Sequence, residues 1–469
     1  MTEQSYRKNR WTFGLGTIGR DMLYTLVSMY LLFFMTEVLN LDDATMWWIT
    51  GVLLAARIFD AVNDPIMGAI VDNTRGKHGK FKPYIAWGAI GTAVITVLMF
   101  ADFRLTGAAY VVLFAVLYLL WDVAFTANDI GYWSMLPSLS LDQKEREKIG
   151  AIARICANIG LFLVVGAIMP VTGLLSDVFQ SGKTGWFVFT VACAVIMVGG
   201  QAITVFGVKE PHLVVEPEKN ASLRELGRAI FKNDQLLFTA VSMSLFMIGY
   251  CTTTSFGTYY FKYVYGNENM YSLFGVVLGV AQILALSVFP LFSKKWNRKA
   301  LYTIGTILVL LGYAVFFFVP NSAVTFYGMM LDPMVFIGIA GMLLFIGQAF
   351  IQLLMLMFLA DSIEYGQWKL GRRSESVTFA LQPFINKIGA AIANAIVGAT
   401  VIISGINSAN TPADVTPEGI ETLKLSMFAL PLIVIVLGYI VYLWKFKIDE
   451  KMYAQILTDL KARGEIYEQ

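Results

Sequence analysis

The strongest constraint on this chain is its series of apolar stretches, each about the 20 residues that a helix needs to cross a hydrocarbon core of about 30 Å. Twelve can be marked, at 12–37, 44–71, 84–102, 108–137, 150–176, 185–208, 235–263, 270–292, 300–320, 333–365, 376–405 and 424–445. Backbone groups in lipid find no water, so a crossing segment must satisfy its own hydrogen bonds. Only helices and closed barrels do this, and the ten-residue alternation of a barrel strand is missing. The expected fold class is therefore an all-α membrane protein with twelve transmembrane helices. Composition agrees, since 57% of the 469 residues are hydrophobic and only 14% are charged, against roughly 25% charged in soluble domains.

The loops orient the helices. Lys and Arg gather after the second run (Arg75, Lys77, Lys80, Lys82), the fourth (Lys144, Arg146, Lys148), the eighth (Lys294, Lys295, Arg298, Lys299) and the tenth (Lys369, Arg372, Arg373). Those loops are expected in the cytoplasm, and both termini with them. No cleavage site follows the first run, which reads as a retained span rather than a signal peptide. The longest connection, 208–234, holds Pro211, Pro217 and a Ser222-Leu223-Arg224-Glu225 stretch that would cap a short interfacial helix. The expected organisation is an N-terminal six-helix bundle over 1–207, this linker over 208–234, a C-terminal six-helix bundle over 235–445 and a cytoplasmic tail over 446–469. By architectural analogy with transporters of repeated halves, the bundles would flank a central cavity. The setting is a multi-pass protein of a bacterial inner (cytoplasmic) membrane, with lipid as a partner.

A formal charge of +2 gives no reason to expect nucleic acid. No interfacial motif compels oligomerisation, so a monomer is expected. Cys156, Cys193 and Cys251 fall inside runs at spacings of neither a metal site nor a disulfide framework, and read as small core residues.

Ionisable side chains in the middle of a span cost at least roughly 2.5–3.5 kcal/mol and usually serve function. On the second helix Arg57, Asp60 and Asp64 sit at i, i+3 and i+7, one face, with Asn63 beside them. Two carboxylates one turn apart repel unless a cation or proton lies between them, which is the need a coupling ion, Na⁺ or H⁺, would meet. Arg57 pairing with Asp60 is the plainer explanation, but it leaves Asp64 unaccounted for. Pro65 frees the carbonyl of Ala61 and loosens the helix there.

The fourth helix carries Asp122, Thr126, Asp129 and Trp133 at i, i+4, i+7 and i+11. Carboxylates accept hydrogen bonds from vicinal hydroxyls and an indole face packs on a pyranose, so Asp129 with Trp133 is a sugar-recognition pair; a lone Trp is more often core or an interfacial anchor. Asp21 lies inside the first helix, Arg154 and Asn158 in the fifth, and Gln382, Lys387 and Asn394 in the eleventh. Buried Arg154 and Lys387 need counter-charges, which predicts an ionic network whose pairing the spacing leaves open.

The Gly14-Leu15-Gly16-Thr17-Ile18-Gly19 stretch matches a dinucleotide fingerprint but follows no strand, and close helix packing explains it better. No nucleotide loop, zinc-protease motif or nucleophile elbow is present, and the two histidines, His78 and His212, fall in loops. Neither an enzyme nor a cofactor beyond the coupling ion is expected.

Together, Arg57-Ile58-Phe59-Asp60-Ala61-Val62-Asn63-Asp64-Pro65-Ile66-Met67-Gly68 and Gly79-Lys80-Phe81-Lys82-Pro83-Tyr84 closely resemble the glycoside-pentoside-hexuronide:cation symporters of the major facilitator superfamily. Gly19-Arg20-Asp21, Asp129 to Trp133, Leu141 to Glu147 and Asp361-Ser362-Ile363-Glu364-Tyr365-Gly366 extend the resemblance over essentially the whole chain. It implies that Asp60 and Asp64 hold the cation, with Asn63 and Thr126 as oxygen donors, so that Na⁺ could sit at Asp60 and Asp64. It implies a sugar site of Asp21, Asp129, Trp133, Arg154 and Lys387, to which Gln382 and Gln352 are added.

Arg146 resembles a residue tied to the inner gate, and Gly68, Asp72, Arg75 and Gly76 resemble the loop that holds the halves together on the cytoplasmic side. Arg57, Glu364 and Arg373 complete the expected gating network. The chain departs from the melibiose-type pattern at Gln352 and Phe125, where aromatic and tyrosine residues are usual, and Asp122 is an additional acid. Galactosides, other glucosides, pentosides and hexuronides stay open as substrates. The expected function is cation-coupled sugar symport by alternating access. A facilitator or exchanger without coupling is the alternative, and a transporter-like sugar sensor a further one, weakened by the mere 24 residues after Lys445. Thr126 leans toward Na⁺ without deciding against H⁺.

Overall fold

A computed structural model describes residues 3–74, 79–209, 231–267, 270–319, 324–326, 329–406 and 414–466. Arg75, Gly76, both histidines and the expected cap at Ser222–Glu225 lie outside the described residues, as does the side chain of Arg57.

The helices are α1 (Glu3–Thr25, continued through π turns to Val38), α2 (Asp43–Asp72), α3 (Lys82–Met99), α4 (Gly107–Met135), α5 (Gln143–Phe179), α6 (Gly182–Gly207), α7 (Asp234–Tyr259), α8 (Met270–Ser293), α9 (Arg298–Phe317), α10 (Pro333–Leu370), α11 (Glu375–Ile403), α12 (Pro417–Lys424, continued through a π turn to Lys445) and α13 (Glu450–Ala462). Eleven are long and apolar enough to cross a membrane. The twelfth, α2, is 30 residues long, about 45 Å; only its Ala44–Ala56 part is uniformly apolar, because Arg57, Asp60 and Asp64 interrupt the rest.

Polar residues at the helix starts take up backbone N–H groups that a first turn leaves open. Asp42 accepts from Thr45 N at 3.1 Å, Asp142 from Lys144 N at 2.9 Å, Asn233 from Leu236 N at 3.0 Å and Asn297 from Ala300 N at 2.8 Å. A short antiparallel pair, Val324–Phe326 with Met329–Leu331, lies between α9 and α10. It was not expected from the sequence; three residues a side are too few for a strand pattern to register.

The described chain divides into two compact units. One comprises the described residues of Met1–Ala229, Gly371–Leu381 and Leu457–Gln469, the other those of Ile230–Leu370 and Gln382–Ile456. In the first unit α1 packs extensively against α5 and α6, α3 against α4 and α6, and α2 against α4. The Gly14–Gly19 motif makes this possible. A Cβ at Gly14 would meet Ile152 of α5 at 2.7 Å, and one at Gly19 would meet the Met197 backbone of α6 at 2.3 Å. Thr17 Oγ1 donates to the Ala153 carbonyl at 2.9 Å and Gln201 Nε2 to the Gly16 carbonyl at 2.6 Å, fixing the register.

In the second unit α9 packs along α10, α7 along α12 and α8 along α10. The Asp361–Gly366 motif anchors it. Asp361 pairs with Arg298, both buried, and Asn233 Nδ2 donates to the Ser362 carbonyl at 2.8 Å.

Candidate functional site

Asp64 and Asn63 of α2 face α4. Asp60, Asn63 and Asp64 are all buried, as are Asp122 and Thr126 on α4. Thr126 Oγ1 donates to Asp64 Oδ1 at 3.3 Å, and Asn63 Nδ2 donates to Asp122 Oδ2 at 3.2 Å. Asp64, Asp122, Asn63 and Thr126 therefore share one interhelical seam, and Asp60 is buried one turn before Asp64. Such a set is chemically suited to a small hard cation, whose ligands are oxygens, or to a proton, which one carboxylate would hold. Of the residues expected for the cation, the structure joins Asp64 to Thr126 and Asn63 to Asp122.

The lower part of the α4 stripe turns to a different partner. Asp129 Oδ1 accepts from Arg20 Nη1 at 3.0 Å, and Asp21 Oδ2 accepts from Arg20 Nη2 at 2.7 Å and from Nε at 3.1 Å. Arg20 is buried, while the side chains of Asp21 and Asp129 keep 24% and 20% of their surface. One guanidinium thus neutralises two carboxylates that remain partly open. The Arg20 guanidinium carbon also lies 5.1 Å and 5.2 Å from the ring centres of Tyr132 and Trp133, and that of Arg154 lies 4.6 Å from Trp133. Trp133 is buried among these groups.

Arg20 was missed as a site residue. Its sequence neighbour Asp21 drew attention as the ionisable group within the helix, whereas residues i and i+1 on a helix do not ordinarily face one another; a backbone-adjacent pair joins here only because the long arginine side chain folds back. The signal available was the Gly19-Arg20-Asp21 motif itself.

Next to α2's end a second polar cluster forms in the same unit. Asp72 accepts from the backbone N–H groups of Ser376 and Val377, both at 2.9 Å, and so caps the first turn of α11. Lys80 lies 2.8 Å from Asp72 and 3.3 Å from Glu375, which also takes a bond from Ser138 at 3.0 Å and from Arg373 at 2.7 Å. Burial alone would lower the Lys80 ammonium, but the carboxylates of Asp72 and Glu375 outweigh it and hold it above the usual lysine value.

Gly68 sits under this turn, 3.0 Å from Ala380 Cβ by any added Cβ. Arg146 is fully buried and donates to the carbonyls of Ser140 at 2.6 Å and Pro137 at 3.0 Å, so it ties the turn after α4 to the start of α5. Its neighbour Glu145 pairs with Arg10 and lies 3.3 Å from Lys148.

The remaining expected residues belong to the second unit. Gln382 is buried and Lys387 half-buried on α11, Glu364 is fully buried on α10, and Gln352 hydrogen-bonds the hydroxyl of Tyr250.

Comparison with known proteins places these residues in context. Residues 12–450 match the family described as MFS/sugar transport protein. The lactose permease of Leuconostoc lactis is 30% identical over 98% of this chain and 73% of its own length. The raffinose carrier protein of Pediococcus pentosaceus is 30% identical over 96% of this chain and 71% of its own. The crystal structure of FucP, a major facilitator superfamily transporter in the outward conformation, superposes with a TM-score of 0.63 at 10% identity, covering 94% of this chain and 99% of that one; this likeness is one of fold.

Proposed function

The chain belongs to the MFS/sugar transport protein family, and on that premise we propose that it carries a sugar or glycoside into the cell together with a monovalent cation, Na⁺ or H⁺, by alternating access. It is a multi-pass membrane carrier and not an enzyme. The names of its relatives, a lactose permease and a raffinose carrier, support an uncharged oligosaccharide as cargo. The basic loops after the second, fourth, eighth and tenth helices support cytoplasmic termini.

One observation carries the coupling. Helix α4 holds Asp122 against Asn63 and Thr126 against Asp64 of α2, and three residues beyond Thr126 holds Asp129 against Arg20. A cation bound among Asp60, Asp64 and Thr126 neutralises charge on α2 where it packs against α4, the helix that presents the sugar carboxylate. Each ligand then raises the other's affinity by the same factor, as linkage requires. Asp21, Asp129, Trp133, Arg154, Lys387, Gln382 and Gln352 are assigned to the sugar in this reading, and Asp60, Asn63, Asp64 and Thr126 to the cation. The gate is assigned to Asp72, Lys80, Arg146, Glu364, Arg373 and Glu375.

The test is uptake of labelled lactose into proteoliposomes under an imposed Na⁺ or H⁺ gradient. Wild type accumulates sugar under one of them, and Asp64→Asn loses the accumulation while still exchanging sugar. Equal uptake with and without every gradient would refute symport.

A further inference from the structure

In the second unit three helices bring neutral hydrogen-bonding side chains to one point. The hydroxyl of Tyr250 on α7 is hydrogen-bonded by Gln282 on α8 and by Gln352 on α10. Gln348 precedes Gln352 by one helical turn and so shares its side of α10. It is fully buried, and neither its amide nitrogen nor its amide oxygen has a hydrogen-bond partner among the described residues. Tyr250 and Gln352 keep part of their surface accessible, so the cluster is not sealed.

A buried amide without partners is costly, and the groups beside it are already engaged with one another. Something that both donates and accepts would complete it. An amide offers two donors and an acceptor, and a phenol one donor and an acceptor, so the set matches the paired donor and acceptor character of adjacent hydroxyl groups. No member carries charge, in contrast to the Arg20, Asp21 and Asp129 cluster of the first unit.

We infer that Tyr250, Gln282, Gln348 and Gln352 form a neutral subsite that binds the hydroxyls of an uncharged sugar unit, with the Gln348 amide completed by the substrate. This rests on the sugar-transport reading above and adds Tyr250, Gln282 and Gln348 to the recognition set. Gln348 has no hydrogen-bond partner among the described residues and gains one on binding, so it favours the loaded state over the empty one. Polar side chains between membrane helices also serve as plain interhelical ties, and that role makes different predictions.

The experiment is equilibrium binding of lactose to the full chain in lipid nanodiscs by titration calorimetry at fixed NaCl and pH, with raffinose as a second probe and thermal unfolding measured alongside. Tyr250→Phe removes one hydroxyl, and Gln348→Leu removes the partnerless amide at nearly constant volume. Each is expected to weaken lactose about tenfold or more, while Gln348→Leu raises the unfolding temperature of the sugar-free protein. Interhelical ties alone would give a lowered unfolding temperature in both variants with lactose affinity within about twofold of wild type, and that result overturns the inference. Asp129→Asn is measured in parallel. If it loses lactose while Tyr250→Phe and Gln348→Leu keep it, the subsite is wrong and the transport reading stands. If wild type binds neither probe, both fall together.

Discussion

Replacing Arg20 by Met should separate the two carboxylates it now holds and destabilise the first unit. The guanidinium makes three hydrogen bonds, to Asp21 at 2.7 Å and 3.1 Å and to Asp129 at 3.0 Å, and lies about 5 Å from two aromatic rings. Removing one partner of a buried ion pair costs about 3–5 kcal/mol. Asp21 and Asp129 keep 24% and 20% of their surface, so water relieves part of this and the lower end, about 3 kcal/mol, applies.

For a unit of this size each kcal/mol is about 2–4 °C, which gives an unfolding temperature lowered by about 6–12 °C. The assay is thermal unfolding of the sugar-free protein at one fixed scan rate, since membrane proteins often unfold irreversibly. Arg20→Lys keeps the charge but not the fork, and should fall between. The double variant Arg20→Met with Asp129→Asn should recover part of the loss, because one of the stranded charges is gone. An Arg20→Met variant melting within about 1 °C of wild type, or a double variant no better than the single, would show that the triad stores no such energy.

Gly19→Ala should prevent stable folding, because its Cβ would stand 2.3 Å from the Met197 backbone of α6, where no side chain can swing aside; an Ala variant purified at wild-type yield and unfolding temperature would contradict the packing. The raised Lys80 value makes a pH prediction: the stabilisation from its pairing with Asp72 and Glu375 is complete below the unfolded lysine pKa of about 10.4 and is lost as pH rises through the higher folded value. Wild type should therefore lose unfolding temperature at strongly alkaline pH by more than Lys80→Met does, and equal alkaline losses in the two would remove Lys80 from the linkage.

The fold was legible because lipid leaves the chain one local solution, and the twelve apolar runs mark it directly. The second helix was marked as one of these runs, 44–71, although Arg57, Asp60 and Asp64 interrupt its apolar pattern. Spacing put Asp122 and Thr126 on one stripe of α4 with Asp129, and only the resemblance joined Thr126 to Asp64; the structure pairs Thr126 with Asp64 and Asp122 with Asn63. What spacing could not supply was pairing between helices. Arg20 as the joint partner of Asp21 and Asp129 depends on how α1 rolls against α4, and the Tyr250, Gln282 and Gln352 cluster draws one residue from each of three helices, so no window of sequence contains it. Asp72 as the cap of α11 joins positions more than 300 apart in the chain. The π turns at Leu26–Tyr30, Tyr260–Val264 and Leu425–Ala429 likewise leave no mark on an apolar pattern.

The division of the α4 stripe bears on how coupling could work at all. Thr126 and Asp129 are three residues apart, about 4.5 Å along the axis and almost one full turn, so they share a side of the helix yet meet different partners. Thr126 joins the buried Asp64, whereas Asp129 joins a cluster in which a cation is built in. In the proposed reading the first cluster takes an ion that comes and goes, and the second is held ready whether or not an ion is present. Were the permanent charge at α2 and the transient one at Arg20, a sugar could bind before the cation and the helix would respond to neither in a fixed order. In the proposed reading, with the fixed guanidinium on the sugar side, ion occupancy is the variable that α4 senses, and sugar affinity is the quantity that changes with it.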